Sequence, residues 1–383
     1  MKTLQKILFC VALLLAVSCS DAPDKMLTII YADGSCQREL SANADSAFMT
    51  GSINGKNNPF PVEIDSNYSI VWQYKVGEIR ADFPITQSLY DSLTLQDTIS
   101  QNFTKKKKDF LVFASRNYKS VEEMSEKFKL KPSHSWSSMD VKYSFEKKFR
   151  FFYSYFTFTE SYPQIKTPFE TPIENYMSKE EADFWFTGEP NLTQSMNGLE
   201  THEYTGELEK NYEKWFSKNM WNLEYDVLVE HYDMLKNPPV SKDELLCLRD
   251  TVFELSYQNG DVTGEMPIHL DKYFKTNVFS EFWEIENSPM GKSDEDFENQ
   301  DFMSFFESSF DYQLIMPGKI IYTNGTNRND TLNWNLTAYR MFRGDYVIEA
   351  QSRKINAWML VLTGMLALNA IVIFVYKRRK IKV

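Results

Sequence analysis

The stretch VKYSFEKKFRFFYSYFTFTESY, residues 141–162, reads as β-structure throughout. Val141, Tyr143 and Phe145 alternate with polar residues; Phe149, Phe151, Tyr153 and Tyr155 continue on one parity, with Phe152, Phe156 and Phe158 on the other. A period of two sends successive side chains to opposite faces of a sheet, where aromatic residues cover a pleated, half-buried surface well. Glu146 to Lys148 is the most polar interruption and the expected turn or bulge. Aromatic density of this kind also suits ligand stacking, although cross-strand packing is its commoner cause.

Upstream, Met26–Tyr31 and Ser35–Leu40 flank Asp33-Gly34, a pair that supplies positive φ in a two-residue hairpin turn. Residues 41–66 lose apolar period and collect Asn, Gly, Ser and Pro, so a loop is expected there. Ser69–Val76 and Asp109–Ala114 are further strands, and Ser120-Val-Glu-Glu123 opens a short helix with a capping box. After Pro163 the period changes. Ser178-Lys-Glu-Glu181 opens a helix; Leu208, Tyr212, Trp215, Met220, Leu223, Val227 and Leu228 keep near-helical spacing over 204–235 until Pro238-Pro239 stops them. Ser241 caps a further helix to about Leu255, and 270–285 is helical too. Strands return over 312–316, 319–323, 332–336 and 346–350. This order predicts an α+β fold: an antiparallel sheet with a long helical insertion at about 174–290, in one domain over 19–356.

Both ends carry membrane signals. Residues 1–18 combine basic Lys2 and Lys6 with the apolar run Ile7–Val17 and a small residue, Ser18, the parts of a secretory signal peptide. Ala16-Val17-Ser18-Cys19 resembles the lipobox of bacterial lipoproteins, which implies diacylglycerol on Cys19; ordinary cleavage nearby is the alternative. Ala357–Tyr376 is an apolar stretch that as a transmembrane helix spans roughly 30 Å, one bilayer. Trp358 and Tyr376 stand at its two interfaces, and Lys377, Arg378, Arg379, Lys380 and Lys382 outnumber Arg353 and Lys354. That asymmetry makes the tail 377–383 cytoplasmic. With short tethers at both ends, both anchors are expected in one inner membrane, with the large domain on its periplasmic side.

A formal charge of -11 averages over unlike parts. Residues 104–150 hold 13 Lys/Arg and 6 Asp/Glu, a net +7, whereas 164–311 hold 11 and 32, a net -21. Non-specific nucleic-acid binding is disfavoured by so acidic a chain, because it depends on neutralising phosphates. Lys105, Lys106, Lys107 and Lys108 form a candidate anionic-lipid patch; the alternative is a lysine-protected strand edge.

Motifs for catalysis, metals or cofactors are absent from the sequence. His134, His202, His231 and His269 are scattered without HExxH or CxxC spacing. The run Asp294-Glu-Asp296-Phe-Glu298 has Asn299 where a calcium loop needs Gly and Phe305 where it needs Glu. Ser144-Phe-Glu-Lys147 matches SxxK, but strand alternation sends its ends to opposite faces. No catalytic residue, metal ligand or cofactor site is therefore assigned. Beyond Cys10 and Cys19, the cysteines are Cys36 and Cys247, which an oxidising compartment could pair or leave free.

Two resemblances extend this reading. Asp45-Ser-Ala47, Asp91-Ser-Leu93, Asp97-Thr-Ile99, Asp250-Thr-Val252 and Asp330-Thr-Leu332 resemble the O-glycosylation triplet of Bacteroidota envelope proteins; Asp91, Asp97 and Asp330 are expected in polar connections. Met316-Pro-Gly-Lys319, Asn324-Gly325, Trp334-Asn-Leu336 and Glu349-Ala350-Gln-Ser352-Arg353, just before the membrane helix, resemble the end of the LppM-type lipoprotein domain. That resemblance covers about 45 of 383 residues and implies lipid binding in the envelope on an α+β scaffold, with no binding residue transferred. The function expected is a membrane-anchored binding or assembly module for envelope lipid or a partner protein. A membrane-tethered enzyme acting on envelope lipid or glycan is the alternative; a sensor is disfavoured by an inner tail too short for an output domain. A closed apolar cavity under the aromatic strands would favour binding, and an open cleft with converging carboxylates or His an enzyme.

Overall fold

The computed structural model describes residues 24–52, 57–74, 77–100, 110–258, 266–284 and 304–380. The signal segment, Cys19, Lys105–Lys108 and Asp294–Glu298 lie outside them. The described residues fall into two compact units, one drawn from 22–163, 309–336 and 345–383, the other from 164–308 and 337–344.

The first unit holds eleven strands among the described residues: β1 (Asp24–Ile30), β2 (Cys36–Ala44), β3 (Ser69–Tyr74), β4 (Phe110–Tyr118), β5 (Lys142–Arg150), β6 (Tyr153–Tyr162), β7 (Ser309–Ile315), β8 (Lys319–Thr323), β9 (Thr326–Arg328), β10 (Thr331–Thr337) and β11 (Tyr346–Ile355). Seven form one sheet, in the order β3-β4-β2-β1-β7-β10-β9, and four form a second, β5-β6-β11-β8. The fold is α+β and rich in antiparallel pairs, but β1 and β7 run parallel, from Asp24↔Phe310 to Ile29↔Ile315. A parallel neighbour needs a long crossover, and here everything between Ile30 and Ser309 provides it.

Several local expectations change. The β5–β6 hairpin turns at Phe151-Phe152, not at Glu146–Lys148, and Arg150 pairs with Tyr153. Phe151 takes the left-handed φ of 47° that so tight a reversal requires. The β1–β2 hairpin closes over a longer turn, with Tyr31 N–H donating to the Ser35 carbonyl at 2.9 Å and Gly34 at φ 99°. Within the region expected as loop, β2 runs on to Ala44 and Asp45 caps the short helix α1 (Ser46–Met49), accepting from Phe48 N–H at 2.8 Å. A helix without apolar period, α2 (Gln87–Ser100), holds Asp91 and Asp97, which are thus not in connections. Helix α3 (Val121–Lys127) starts at the expected cap, with Ser120 accepting from Glu123 N–H, but the capping box is not closed: the Glu123 carboxylate accepts from Lys119 N–H, one residue before the cap.

The two sheets meet across an apolar layer that includes Leu40, Val112, Phe156, Phe158 and Ile348, each 1% exposed or less. One charged pair crosses it. Arg38 of β2 donates to Glu160 of β6 at 2.8 Å, and both side chains are 1% exposed. Arg38 also donates to Thr28 and Tyr143, while Glu160 accepts from Tyr312 at 2.7 Å and Tyr162 at 2.6 Å. Burial first, and the Glu160 charge second, push the Tyr143, Tyr162 and Tyr312 hydroxyls upward, so they remain protonated donors.

Beyond β8, the chain turns through Asn324-Gly325 and lies flat on Trp334. The Trp334 indole donates to Asn324 Oδ1 at 3.1 Å, and the same oxygen accepts from Glu349 N–H at 2.9 Å. Gly325 is needed here for close approach, because a Cβ would overlap the indole ring.

The second unit is helical: α4 (Lys179–Thr187), α5 (Gly198–Glu230), α6 (Lys242–Gln258), α7 (Met266–Phe274) and α8 (Val278–Glu284). Asn197 caps α5, which starts at Gly198, six residues before the expected start at residue 204, and Ser178 caps α4 through a capping box. The long α5 serves two clusters. Tyr212, Trp215 and Phe216 pack with Phe186 and Phe342, while Trp221, Tyr225 and Leu228 pack with Leu245, Phe253, Leu270 and Phe279. The segment expected as one helix over 270–285 is two, broken at Lys275 (φ 54°), with buried Asp271 capping α8 through Phe279 and Ser280 N–H.

Finally, α9 (Ala357–Lys380) belongs to the first unit and follows β11 after a single residue. Its segment Ala357–Lys377 has a mean hydropathy of 2.3 and is long and apolar enough to cross a membrane.

Candidate functional site

The seven-stranded sheet has one buried and one open face, and alternation decides which residues each receives. Met26, Thr28 and Ile30 of β1 point into the core, leaving Lys25, Leu27 and Ile29 on the open side. The same rule sends Arg38 and Leu40 of β2 inward and Glu39 and Ser41 outward. On β7, Tyr312 and Leu314 go inward, while Asp311 and Gln313 go outward.

Strand pairing then assembles these outward residues into two cross-strand rows. Ser41, Lys25 and Asp311 are direct partners in one; Glu39, Leu27 and Gln313 are partners in the next. Gln313 Nε2 donates to Asn333 Oδ1 of β10 at 3.1 Å, which extends the second row, and Arg328 of β9 lies opposite Thr331. Together they floor a groove of about 500 Å³ that also reaches Phe113 and Asn335. That volume lies within the range of small-molecule and peptide sites. A second cleft of about 80 Å³, beside Tyr143 and Glu160, is too small for such a ligand.

The groove floor is polar and carries both signs, with Lys25 and Arg328 against Glu39 and Asp311. None of these four makes an ion pair with another described residue. Burial holds the Glu39 carboxyl above its usual range. The sign follows from linkage. A carboxyl raised on folding favours the acid form, so the cost of the charge is absent below about pH 4 and grows as pH rises through the folded value. Replacing Glu39→Gln should therefore raise the thermal midpoint at pH 7, by no more than about 1 kcal/mol in stability, and leave it unchanged below pH 4. Calorimetric scans at the two pH values provide the check; equal gains at both would mean the carboxylate is not the cause.

The residues singled out by sequence are not brought together. Cys36 and Cys247 are both free thiols, so the pairing left open above is not made. Cys36 is buried on β2 with its Sγ 3.8 Å from Met124 Sδ, and burial pushes its thiol up to about 11. Cys247 is exposed on α6. Lys147, the end of the SxxK match, donates to the Ala32 carbonyl at 2.7 Å. Among the glycosylation-like triplets, Asp45 is a helix cap and Asp250 pairs with Lys218 at 2.6 Å in the helical unit; Asp330 alone lies in a strand connection, with φ 62°. His134 sits 3.3 Å from Asp24, and His231 bonds the Val227 carbonyl within its own helix end. Among the described residues no three His, Cys, Asp or Glu side chains form a metal-ligand group.

Sequence reading missed the groove because Lys25, Glu39, Asp311 and Arg328 share no motif. The one usable signal was the polar parity of the strands that carry them, which reads equally well as a solvated face. Comparison of the chain with protein-family models, curated proteins and solved structures returned no match.

Proposed function

We propose that the chain is a membrane-anchored binding module whose open sheet face takes a polar segment of a partner protein in the cell envelope. The observation that carries this reading is the groove floor, where Lys25, Glu39, Asp311 and Arg328 stand without ion pairs to described residues, beside the amides of Gln313 and Asn335. An acyl chain needs apolar walls; this floor suits an extended, hydrogen-bonding ligand that supplies the missing counter-charges. On this reading α9 spans the inner membrane and the groove faces the periplasm.

The enzyme reading draws on the same groove, which is open and holds two carboxylates. Catalysis requires groups held in place by their neighbours, and neither the Glu39 nor the Asp311 carboxylate accepts a hydrogen bond from another described residue. Binding is the better fit.

A photo-crosslinking residue at Asn335 in the full-length chain, expressed in its own cells, should give a discrete protein adduct, and one at the exposed Asn67 should not. Adding Glu39→Gln and Arg328→Gln should reduce the adduct severalfold. Equal labelling from both positions, or none from Asn335, would overturn the assignment of the groove. Orientation has a separate check. Cys247 is exposed while Cys36 is buried, so a membrane-impermeant maleimide applied to intact spheroplasts should label Cys247. Labelling only after lysis would place the helical unit in the cytoplasm.

A further inference from the structure

The tip of the β5–β6 hairpin is apolar where a solvent-exposed turn would ordinarily be polar. Phe149, Phe151 and Phe152 are 52%, 64% and 38% exposed, and beside them Ile355 and Trp358 are 55% and 61% exposed. These five residues come from two distant chain segments that the sheet brings together, since β6 and β11 pair without interruption as far as Tyr153↔Ile355.

Asn356 ties this tip to the start of α9. Its backbone N–H donates to the Phe152 carbonyl at 2.8 Å, its side-chain amide donates to the Phe151 carbonyl at 2.8 Å, and its Oδ1 accepts from Ser154 Oγ at 2.8 Å. The Phe149 ring stacks on Trp358 with centroids 5.9 Å apart and planes 18° apart. The hairpin tip and the first turn of the helix are therefore held at one level.

Charge agrees with that placement. The strand ends nearest α9 carry exposed Arg150 on β5, Lys319 on β8, and Arg353 and Lys354 on β11, with Lys319 and Arg353 paired across the sheet. An apolar, aromatic tip ringed by cations matches the interfacial layer of a bilayer, where rings sit among headgroups and lysine or arginine meets phosphate.

We propose that the β5–β6 tip enters the headgroup and upper acyl region of the bilayer beside the first turn of α9, so that this unit contacts lipid through the sheet as well as the helix. The contact rests on α9 spanning the membrane, and the test separates the two statements. The full-length chain, with Cys247→Ser, is reconstituted in vesicles of phosphatidylcholine and phosphatidylglycerol. An environment-sensitive fluorophore is placed in turn at Phe151→Cys, at Leu366→Cys in α9 and at Asn335→Cys in the groove. Nitroxide lipids carry the quencher either near the headgroup or deep in the chain.

The label at position 151 should be quenched severalfold more than that at 335, chiefly by the shallow nitroxide, and the label at 366 chiefly by the deep one. Quenching at 366 with none above the groove control at 151 would overturn the tip contact and leave the helix spanning. Absence of quenching at 366 would overturn both. As a second variant, Asn356→Ala unties the tip from the helix. It should lower quenching at 151 while that at 366 and the circular dichroism stay as before; unchanged quenching at 151 would show that Asn356 does not hold the tip in place.

Discussion

Breaking the Arg38–Glu160 pair from one side is expected to cost about 3–5 kcal/mol of stability, because it leaves the other charge buried without a partner. Glu160→Gln keeps the shape of the side chain and removes the charge that balances a guanidinium 1% exposed to solvent. Arg38→Met does the converse and strands a carboxylate left with neutral tyrosine donors, among them Tyr162 and Tyr312. The double variant Arg38→Met with Glu160→Leu should recover much of the loss, since a well-packed apolar pair is often as stable as the ion pair it replaces. Phe128, whose ring centroid lies 4.6 Å from the guanidinium carbon, provides an apolar wall for the methionine. Urea midpoints of the full-length chain in detergent provide the measurement. Near-additive losses in the double variant would sink the idea that the two charges compensate each other.

The second large effect is expected at Gly318→Ala. Gly318 sits in the β7–β8 turn at φ 87°, a conformation that costs a residue with a Cβ about 1–2 kcal/mol. An added methyl would also run into the Arg353 carbonyl of β11, which is backbone and cannot swing aside. The two terms together should remove about 2–4 kcal/mol, and Gly344→Ala, where a Cβ meets nothing within 4 Å, is the control. A Gly318→Ala loss no greater than that at Gly344 would mean the turn can move away from β11.

The fold was legible where residues spoke for their own neighbourhood. The period of two around residues 141–162, the caps at Ser120, Ser178 and Ser241, and the apolar stretch before Lys377 all rest on local chemistry, and each marks an element of the structure. The hairpin turn was misplaced because polarity guided the reading, whereas the residues that make this turn are aromatic. Lys147 and Lys148 lie within a strand, while Phe151 and Phe152 make the turn, tied to the first turn of an apolar helix. The parallel pairing of β1 with β7 depends on partners about 285 residues apart, and no local pattern encodes it. The groove inherits that difficulty, since Lys25 meets Asp311 only through this pairing. Helix α2 escaped because the few apolar residues of QSLYDSLTLQDTIS are interspersed with polar ones, so no stripe stands out from the surrounding loop sequence.

One consequence of the junction at Asn356 is mechanical. β11 runs for ten residues against β6, ends at Ile355, and α9 begins at Ala357, so there is no linker in which torsion could be lost. A helix joined in this way acts as a shaft rather than a tether. Turning it about its axis, or tilting it to match a bilayer of different thickness, must carry the four-stranded sheet through the same angle. On the proposed reading, in which α9 spans a bilayer, the direction in which the groove looks is geared to the lipid around α9, and membrane thickness becomes an input to the sheet it carries.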